Sequence, residues 1–178
     1  MLNRTFIDSF VATKFPLLMY DDIKVNLDLI DLRAKDLSQN KANICFQAYL
    51  KKISHSLNSK SSEIYFECGL YTVNYYKKYF LEAIPDNTIL TLGEIYNCIL
   101  TNKVLLYKIF PDTLHPDFTV INLTNNIIEI NLINLFTNIN EFTKGLLSGI
   151  ATLADIDIII FQSNGIDQNN YLSYTISV

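Results

Sequence analysis

The sequence has few of the residues that metal sites and nucleophilic catalysis need. It contains two histidines and three cysteines, and the cysteines show no short ligand spacing such as C-x-x-C. Ser148 lies in "GLLSGIA", which lacks the strand–turn–helix context of a hydrolase nucleophile. The five glycines form no phosphate-binding loop. We therefore expect a protein that is not an enzyme and that has no zinc site.

Long apolar runs and clusters of basic residues are missing as well. No segment approaches the roughly 18–20 apolar residues of a transmembrane helix, and the first residues lack the apolar core of a secretory signal. The net charge is -4, with no cluster of Lys and Arg, so the sequence predicts no nucleic-acid partner. We expect a cytoplasmic protein with reduced cysteines and no membrane span.

Apolar residues are abundant, and their spacing changes along the chain. Hydrophobic residues make up 49% of the 178 positions and charged residues 18%, which predicts one ordered domain with a full core. Residues 1–110 show helical spacing, including one helix that runs up to Pro85 and another from about residue 88 to Pro111. Residues 111–178 show strand-like alternation around one amphipathic helix at about 138–154.

The strand-like segments form two hairpins, one on each side of that helix. "DFTVINL" and "IIEINLINLF" flank the turn "TNN", and "IDIIIFQ" and "YLSYTISV" flank "SNGIDQNN". The prediction is a single α+β domain, 1–178. Its N-terminal helical part (1–110) packs on a C-terminal four-stranded antiparallel sheet of order β-β-α-β-β (111–178), and the helix covers one face of the sheet.

The order of these features resembles the haem nitric oxide/oxygen-binding (H-NOX) family. "IFPDTLHPDF" resembles the family's I-Y-P-x-x-x-x-P-x-F loop, and "SSEIYFECGLYTVNYY" resembles its helix with a central Gly followed by aromatic residues. "FTKGLLSGIATLADIDIII" resembles its G-x-x-x-G/A helix and the strand after it. The resemblance covers nearly the whole chain and implies an H-NOX-like fold with a sensory role.

The residue that binds the haem iron in the family is replaced in this sequence. The family's proximal His lies thirteen residues before the second loop proline, Pro116, and that position is Lys103. A protonated Lys has no lone pair for iron and is costly to bury. A shift of one helical turn would place Tyr107 there, and a phenolate can bind haem iron. His115, beside Pro116, is the remaining metal-ligand candidate.

The family's Tyr-x-Ser-x-Arg motif, which holds the haem propionates, is missing as well. Its positions fall on Leu132, Asn134 and Phe136, none of which is cationic. Arg pairs with carboxylates through its planar fork, and Leu and Phe cannot do so. We also expect the chain's own aromatic residues, 11 Tyr and 11 Phe, to fill the former cofactor site, because an empty cavity is costly.

The resemblance and these losses together lead to one main hypothesis and two alternatives. The main hypothesis is a haem-free H-NOX-like sensory or regulatory domain that has no cofactor and binds a signalling protein or a small apolar ligand. The first alternative is a haem-binding nitric oxide/oxygen sensor with an unusual axial ligand. The second is a homodimeric assembly scaffold like the V4R/TRAPP domains, which rests on analogy of fold alone.

Overall fold

The computed structural model describes residues 4–16, 40–85, 90–109, 117–124, 126–133, 139–163 and 171–178. The helices in these ranges are α1 (Arg4–Lys14), α2 (Asn40–Leu57), α3 (Ser61–Tyr75), α4 (Lys77–Glu82), α5 (Leu92–Leu100), α6 (Lys103–Ile109) and α7 (Ile139–Leu153). The strands are β1 (Phe118–Thr124), β2 (Ile127–Ile133), β3 (Ile159–Ser163) and β4 (Tyr171–Ser177). All described strands follow the helices α1 to α6, as the change in spacing predicts.

The four strands form one antiparallel sheet in the order β1-β2-β4-β3. Both expected hairpins are present, and β2 and β4 pair at the centre from Ile127–Ser177 to Ile133–Tyr171. The register shifts between Asn122 and Thr124 of β1, which marks a β-bulge. The α+β fold with a four-stranded antiparallel sheet is therefore confirmed.

One face of the sheet forms part of the hydrophobic core. Alternate side chains of a strand point to opposite faces, and here one set of alternate residues in each central strand is apolar and points inward. The central strands contribute Ile128, Ile130, Leu132, Leu172, Tyr174 and Ile176, all buried. Helix α5 packs against β1 on this inner side of the sheet.

The closest helix packing in the described part of the chain joins α3 to α7, and it depends on glycine. A Cβ added to Gly69 of α3 would overlap the carbonyl oxygen of Phe142 in α7. A Cβ added to Gly145 of α7 would overlap the carbonyl oxygen of Phe66 in α3. The two backbones are therefore in direct contact. The N-terminal end of α7 also reaches the sheet, since the Tyr174 hydroxyl lies 3.5 Å from the carbonyl oxygen of Asn140.

Each of the two long helices predicted before Pro111 is divided in two, which corrects the sequence prediction. Between α3 and α4, Tyr76 leaves the helical conformation with φ -100° and ψ 18°. Between α5 and α6, the Thr101 hydroxyl donates to the carbonyl oxygen of Asn97 at 2.6 Å. The Asn102 side chain then accepts from the backbone N–H of Leu105 at 3.1 Å. Thr and Asn side chains compete with the helix for backbone groups, and this ends α5 and starts α6.

Gly145→Ala is expected to lower the free energy of unfolding by about 1–3 kcal/mol, because the new methyl group forces two helix backbones apart. Chemical denaturation monitored by circular dichroism measures this change. Ser148→Ala in the same helix is the matched control and is expected to stay within about 0.5 kcal/mol of the wild type. A wild-type stability for Gly145→Ala would contradict the backbone contact between α3 and α7.

Candidate functional site

Three of the seven predicted site residues lie in the described part of the chain. Lys103 and Tyr107 are on α6, and Leu132 is on β2. The other four lie outside the described residues and stay predictions: His115, Pro116, Asn134 and Phe136.

Helix α6 turns both of its predicted site residues toward solvent. Lys103 is its first residue, directly after the capping Asn102, and its side chain is exposed. Tyr107, one turn later on the same side, is 54% exposed. The opposite side of α6 is buried through Leu105, Leu106 and Ile109. The ammonium group and the phenol ring therefore both lie on the outer surface of the helix.

Leu132, unlike Lys103 and Tyr107, is buried at the centre of the sheet. It is 0% exposed, and it pairs with Phe118 on β1 and with Leu172 on β4. Because no surface of Leu132 is open, no water-sized space adjoins it. A carboxylate placed at this position would be removed from water between two apolar neighbours, and this environment strongly disfavours charge.

Two tyrosines occupy the interior between α5, α7 and the sheet. Tyr96 of α5 is fully buried, and its hydroxyl donates to the carbonyl oxygen of Leu147 in α7 at 2.9 Å. Burial raises the pKa of Tyr96, so its oxygen keeps the proton that it donates. Tyr174 of β4 is also fully buried, and burial is the main cause that raises its pKa. The aromatic filling of the former cofactor site as a whole stays a prediction, since four of the site residues lie outside the described chain.

The described residues that the sequence assigns to the haem site do not fit haem. Iron needs a ligand atom directed into the pocket, and the propionates need cations or water. Lys103 and Tyr107 are directed to solvent, and Leu132 is apolar and sealed. In the described ranges, no group of three or more His, Cys, Asp or Glu side chains could hold a metal ion.

An aromatic cluster joins α1 to the end of α3, and the sequence analysis missed it. Phe6 stacks on Tyr76 with ring centroids 6.1 Å apart, and Phe10 contacts Tyr71 at 5.4 Å. The Tyr71 hydroxyl shares a hydrogen bond of 2.6 Å with Ser9 of α1. Burial, with smaller effects of neighbouring tyrosines, raises the pKa of Tyr76 to about 12. The cluster attaches α1 to α3, and "VNYYKKYF" is the sequence signal that could have revealed it.

A surface cavity of about 230 Å³ lies beside α3 and α7, lined by Ser62, Glu63, Phe66, Glu67 and Glu141. Two of its carboxylates are already paired with lysines of this chain. Lys14 lies 2.7 Å from Glu67, and Lys144 lies 2.7 Å from Glu141. These ion pairs are the simplest account of the acidic lining, because ion pairs of this kind are common on protein surfaces.

Comparison with known proteins identifies the fold. No protein-family model and no curated protein matches this sequence. Among solved structures, an Fe(II) unliganded H-NOX mutant from K. algicida is similar, with 16% identity, a TM-score of 0.67 and coverage of 97% of this chain and 92% of that one. A Cs H-NOX mutant with an unnatural amino acid has 12% identity, a TM-score of 0.70, and coverage of 97% and 92%.

A T. tengcongensis H-NOX mutant gives the same result, with 12% identity, a TM-score of 0.64, and coverage of 97% and 93%. The expected resemblance is thus confirmed as a likeness of fold over almost the whole chain. At these identities it concerns the fold and not the residues of the site. No helix in the described ranges is long and apolar enough to span a membrane.

The two sides of α6 are expected to respond differently to truncation. Lys103→Ala should leave the free energy of unfolding within about 0.5 kcal/mol of the wild type, because the side chain lies in water. Leu106→Ala, the matched change on the buried side, should lower it by about 2–4 kcal/mol. Urea titrations of both variants measure the difference. A large loss for Lys103→Ala would mean that α6 turns its polar side inward.

Proposed function

We propose that this chain is a haem-free sensory or regulatory domain with the H-NOX fold, which acts by binding a partner protein or a small apolar ligand. The observation that supports the proposal is the orientation of α6. Its residue at the family's iron-binding position, Lys103, faces solvent, while Leu132 is sealed in the core. In this proposal the chain has kept the fold of a haem sensor and lost the groups that hold haem.

The energetics of α6 favour this arrangement over a haem-binding one. Rotating α6 to bring Lys103 or Tyr107 inward would expose Leu105, Leu106 and Ile109, which are now buried. Exposing three large aliphatic side chains costs on the order of 5 kcal/mol. The buried Lys would also have to lose its proton before it could bind iron. Both costs oppose haem binding through α6.

The proposed mode of action is recognition without catalysis. A domain of this kind changes the activity of a partner by binding it in one conformation and not in another, so its effect is limited by the difference in affinity between the two. A cytoplasmic setting and a signalling partner are part of the proposal. A stable homodimer in sedimentation experiments would favour the scaffold alternative.

The wild-type protein is expected not to retain haem in a one-to-one ratio. The physical reason is the missing inward ligand and the missing propionate cations, either of which weakens binding by several kcal/mol when the groups are buried. Haem titration followed by desalting and measurement of the Soret band tests this expectation. A retained stoichiometric Soret band would overturn the proposal and make Tyr107 and His115 the first residues to mutate.

Lys103→His alone is expected not to restore haem binding, because it supplies a ligand atom without supplying a pocket or propionate partners. The same desalting assay measures it, with Lys103→Ala as the matched control for loss of the charge. Retention of haem by the His variant and not by the Ala variant would show that residue 103 reaches a pocket. That result would contradict the outward orientation of α6.

A further inference from the structure

Five of the described side chains on the outer face of the sheet, which is the face opposite the core, are apolar and exposed. We define this face by the outward residues of the strands, and these five are Ile121, Leu123, Ile127, Ile159 and Phe161. Ile159 and Phe161, on the edge strand β3, are 61% and 57% exposed. Taking about 200 Å² for a fully exposed large side chain, the exposed apolar area is about 500 Å². A patch of this size on a single chain commonly marks a binding surface.

The strand register arranges these side chains in two neighbouring rows. One row runs across the sheet from Ile121 through Glu129 and Thr175 to Phe161. The next row runs from Ile127 through Ser177 to Ile159. Four strands span roughly 14 Å, and rows two residues apart lie roughly 7 Å from each other. The surface covered by the two rows is about as wide as one α-helix, whose diameter with side chains is about 10–12 Å.

The charges on the outer face all have one sign. Glu129 lies within the first row, where it accepts a hydrogen bond of 2.8 Å from Asn131. Asp117 precedes β1 and Asp157 precedes β3, both are exposed, and both continue the outward alternation of their strands. The described outward positions of the four strands contain no Lys or Arg. The face therefore carries its exposed apolar side chains mainly on the edge strands β1 and β3, with Glu129, Thr175 and Ser177 between them and two carboxylates at its margin.

We propose that the outer face is a docking site for a basic amphipathic helix of a partner protein. The apolar stripe of that helix would cover the five apolar side chains, and its flanking Lys and Arg residues would pair with Glu129, Asp117 and Asp157. Covering a sheet face with a helix is the common way to bury such a surface. The inference rests on the proposed function to the extent that partner binding is the mode of action, and it adds the surface and the chemistry of the partner.

The same charges argue against the two other occupants of this face. In a symmetric dimer built on the outer face, each copy would bring a second acidic face and no cation to Glu129. Burying a carboxylate without a cationic partner is strongly unfavourable. An anionic membrane surface attracts Lys and Arg and repels acidic faces. A basic helix satisfies both the apolar and the acidic parts of the surface.

A pair of synthetic peptides tests the inference on the full-length protein. The first is a fluorescein-labelled helix of about five turns with Leu at positions i, i+3, i+4 and i+7 and Lys elsewhere. The second replaces every Lys by Glu. Fluorescence anisotropy is expected to show that the Lys peptide binds at least about tenfold more tightly. Raising the salt concentration should weaken its binding. Equal binding of the two peptides would overturn the inference.

Variants of the protein locate the binding. Ile159→Ser combined with Phe161→Ser is expected to weaken binding of the Lys peptide by at least about tenfold, and Glu129→Lys should reduce its preference over the Glu peptide. The matched control combines Leu81→Ser with Val104→Ser, two exposed apolar residues on α4 and α6, and is expected to bind as the wild type does. Thermal melts verify that all variants fold. Binding unaffected by the β3 changes would place the peptide elsewhere and overturn the inference.

Two further results separate this inference from the proposed function. A wild-type dimer that Ile159→Ser with Phe161→Ser dissociates in sedimentation velocity would show that a second copy covers the face, and would overturn the inference. The haem assay does not depend on the outer face. Retained haem would contradict the proposed function and leave the peptide result standing. If the protein retains no haem and the peptide does not bind, this inference is overturned and the proposed function stands.

Discussion

The direct contact between the backbones of α3 and α7 is the constraint on which the rest of the structure depends. Gly69 and Gly145 bring the two helices together at backbone distance, and any side chain at either position would separate them. With α7 fixed on α3, its Leu147 carbonyl oxygen meets the hydroxyl of Tyr96 and thereby fixes α5. Helix α5 in turn packs on β1. The helices and the sheet therefore meet through α5 and α7, and the position of both depends on the α3–α7 contact.

The orientation of α6 follows from a second local constraint. The Asn102 side chain accepts a hydrogen bond from Leu105 and starts a new helix at this point. Together with the hydrogen bond of Thr101 to Asn97, it separates α5 from α6. The break gives α6 its own orientation, with Leu105, Leu106 and Ile109 buried and Lys103 exposed. The burial of these three apolar side chains therefore determines which side of α6 faces the solvent.

The elements of the fold were largely predictable from spacing, and their boundaries were not. The alternation in "DFTVINL" and "YLSYTISV" predicts the strands of the sheet because each strand buries one face. The division of the helix before Pro111 was missed, although Thr101 and Asn102 were visible as competitors for backbone hydrogen bonds. The capping box of Thr91 and Glu94 at the start of α5 was also readable in "TLGE".

The candidate site was less predictable, for a physical reason. Counting back from Pro116 selects Lys103 as the candidate position. It does not predict the direction of the Lys103 side chain, because the break between α5 and α6 is not visible in the hydrophobic spacing. The aromatic cluster of Phe6, Tyr71 and Tyr76 joins segments far apart in sequence, so "VNYYKKYF" indicates its aromatic side chains but not their partner on α1. The exposed apolar residues on the outer face of the sheet were not predicted, because within each strand they resemble residues of the core.

The two edges of the sheet differ in how well they resist unwanted growth of the sheet. On β1, the bulge between Asn122 and Thr124 disturbs the ladder and makes that edge a poor template for an added strand. On β3, the register with β4 is regular from Ile159 to Ser163, and the edge carries two large apolar side chains. Asp157, just ahead of β3, is the nearest charge that discourages pairing with another chain. Aggregation under conditions that partly unfold the protein should therefore begin at β3. A partner that covers this edge would also protect the protein from aggregation.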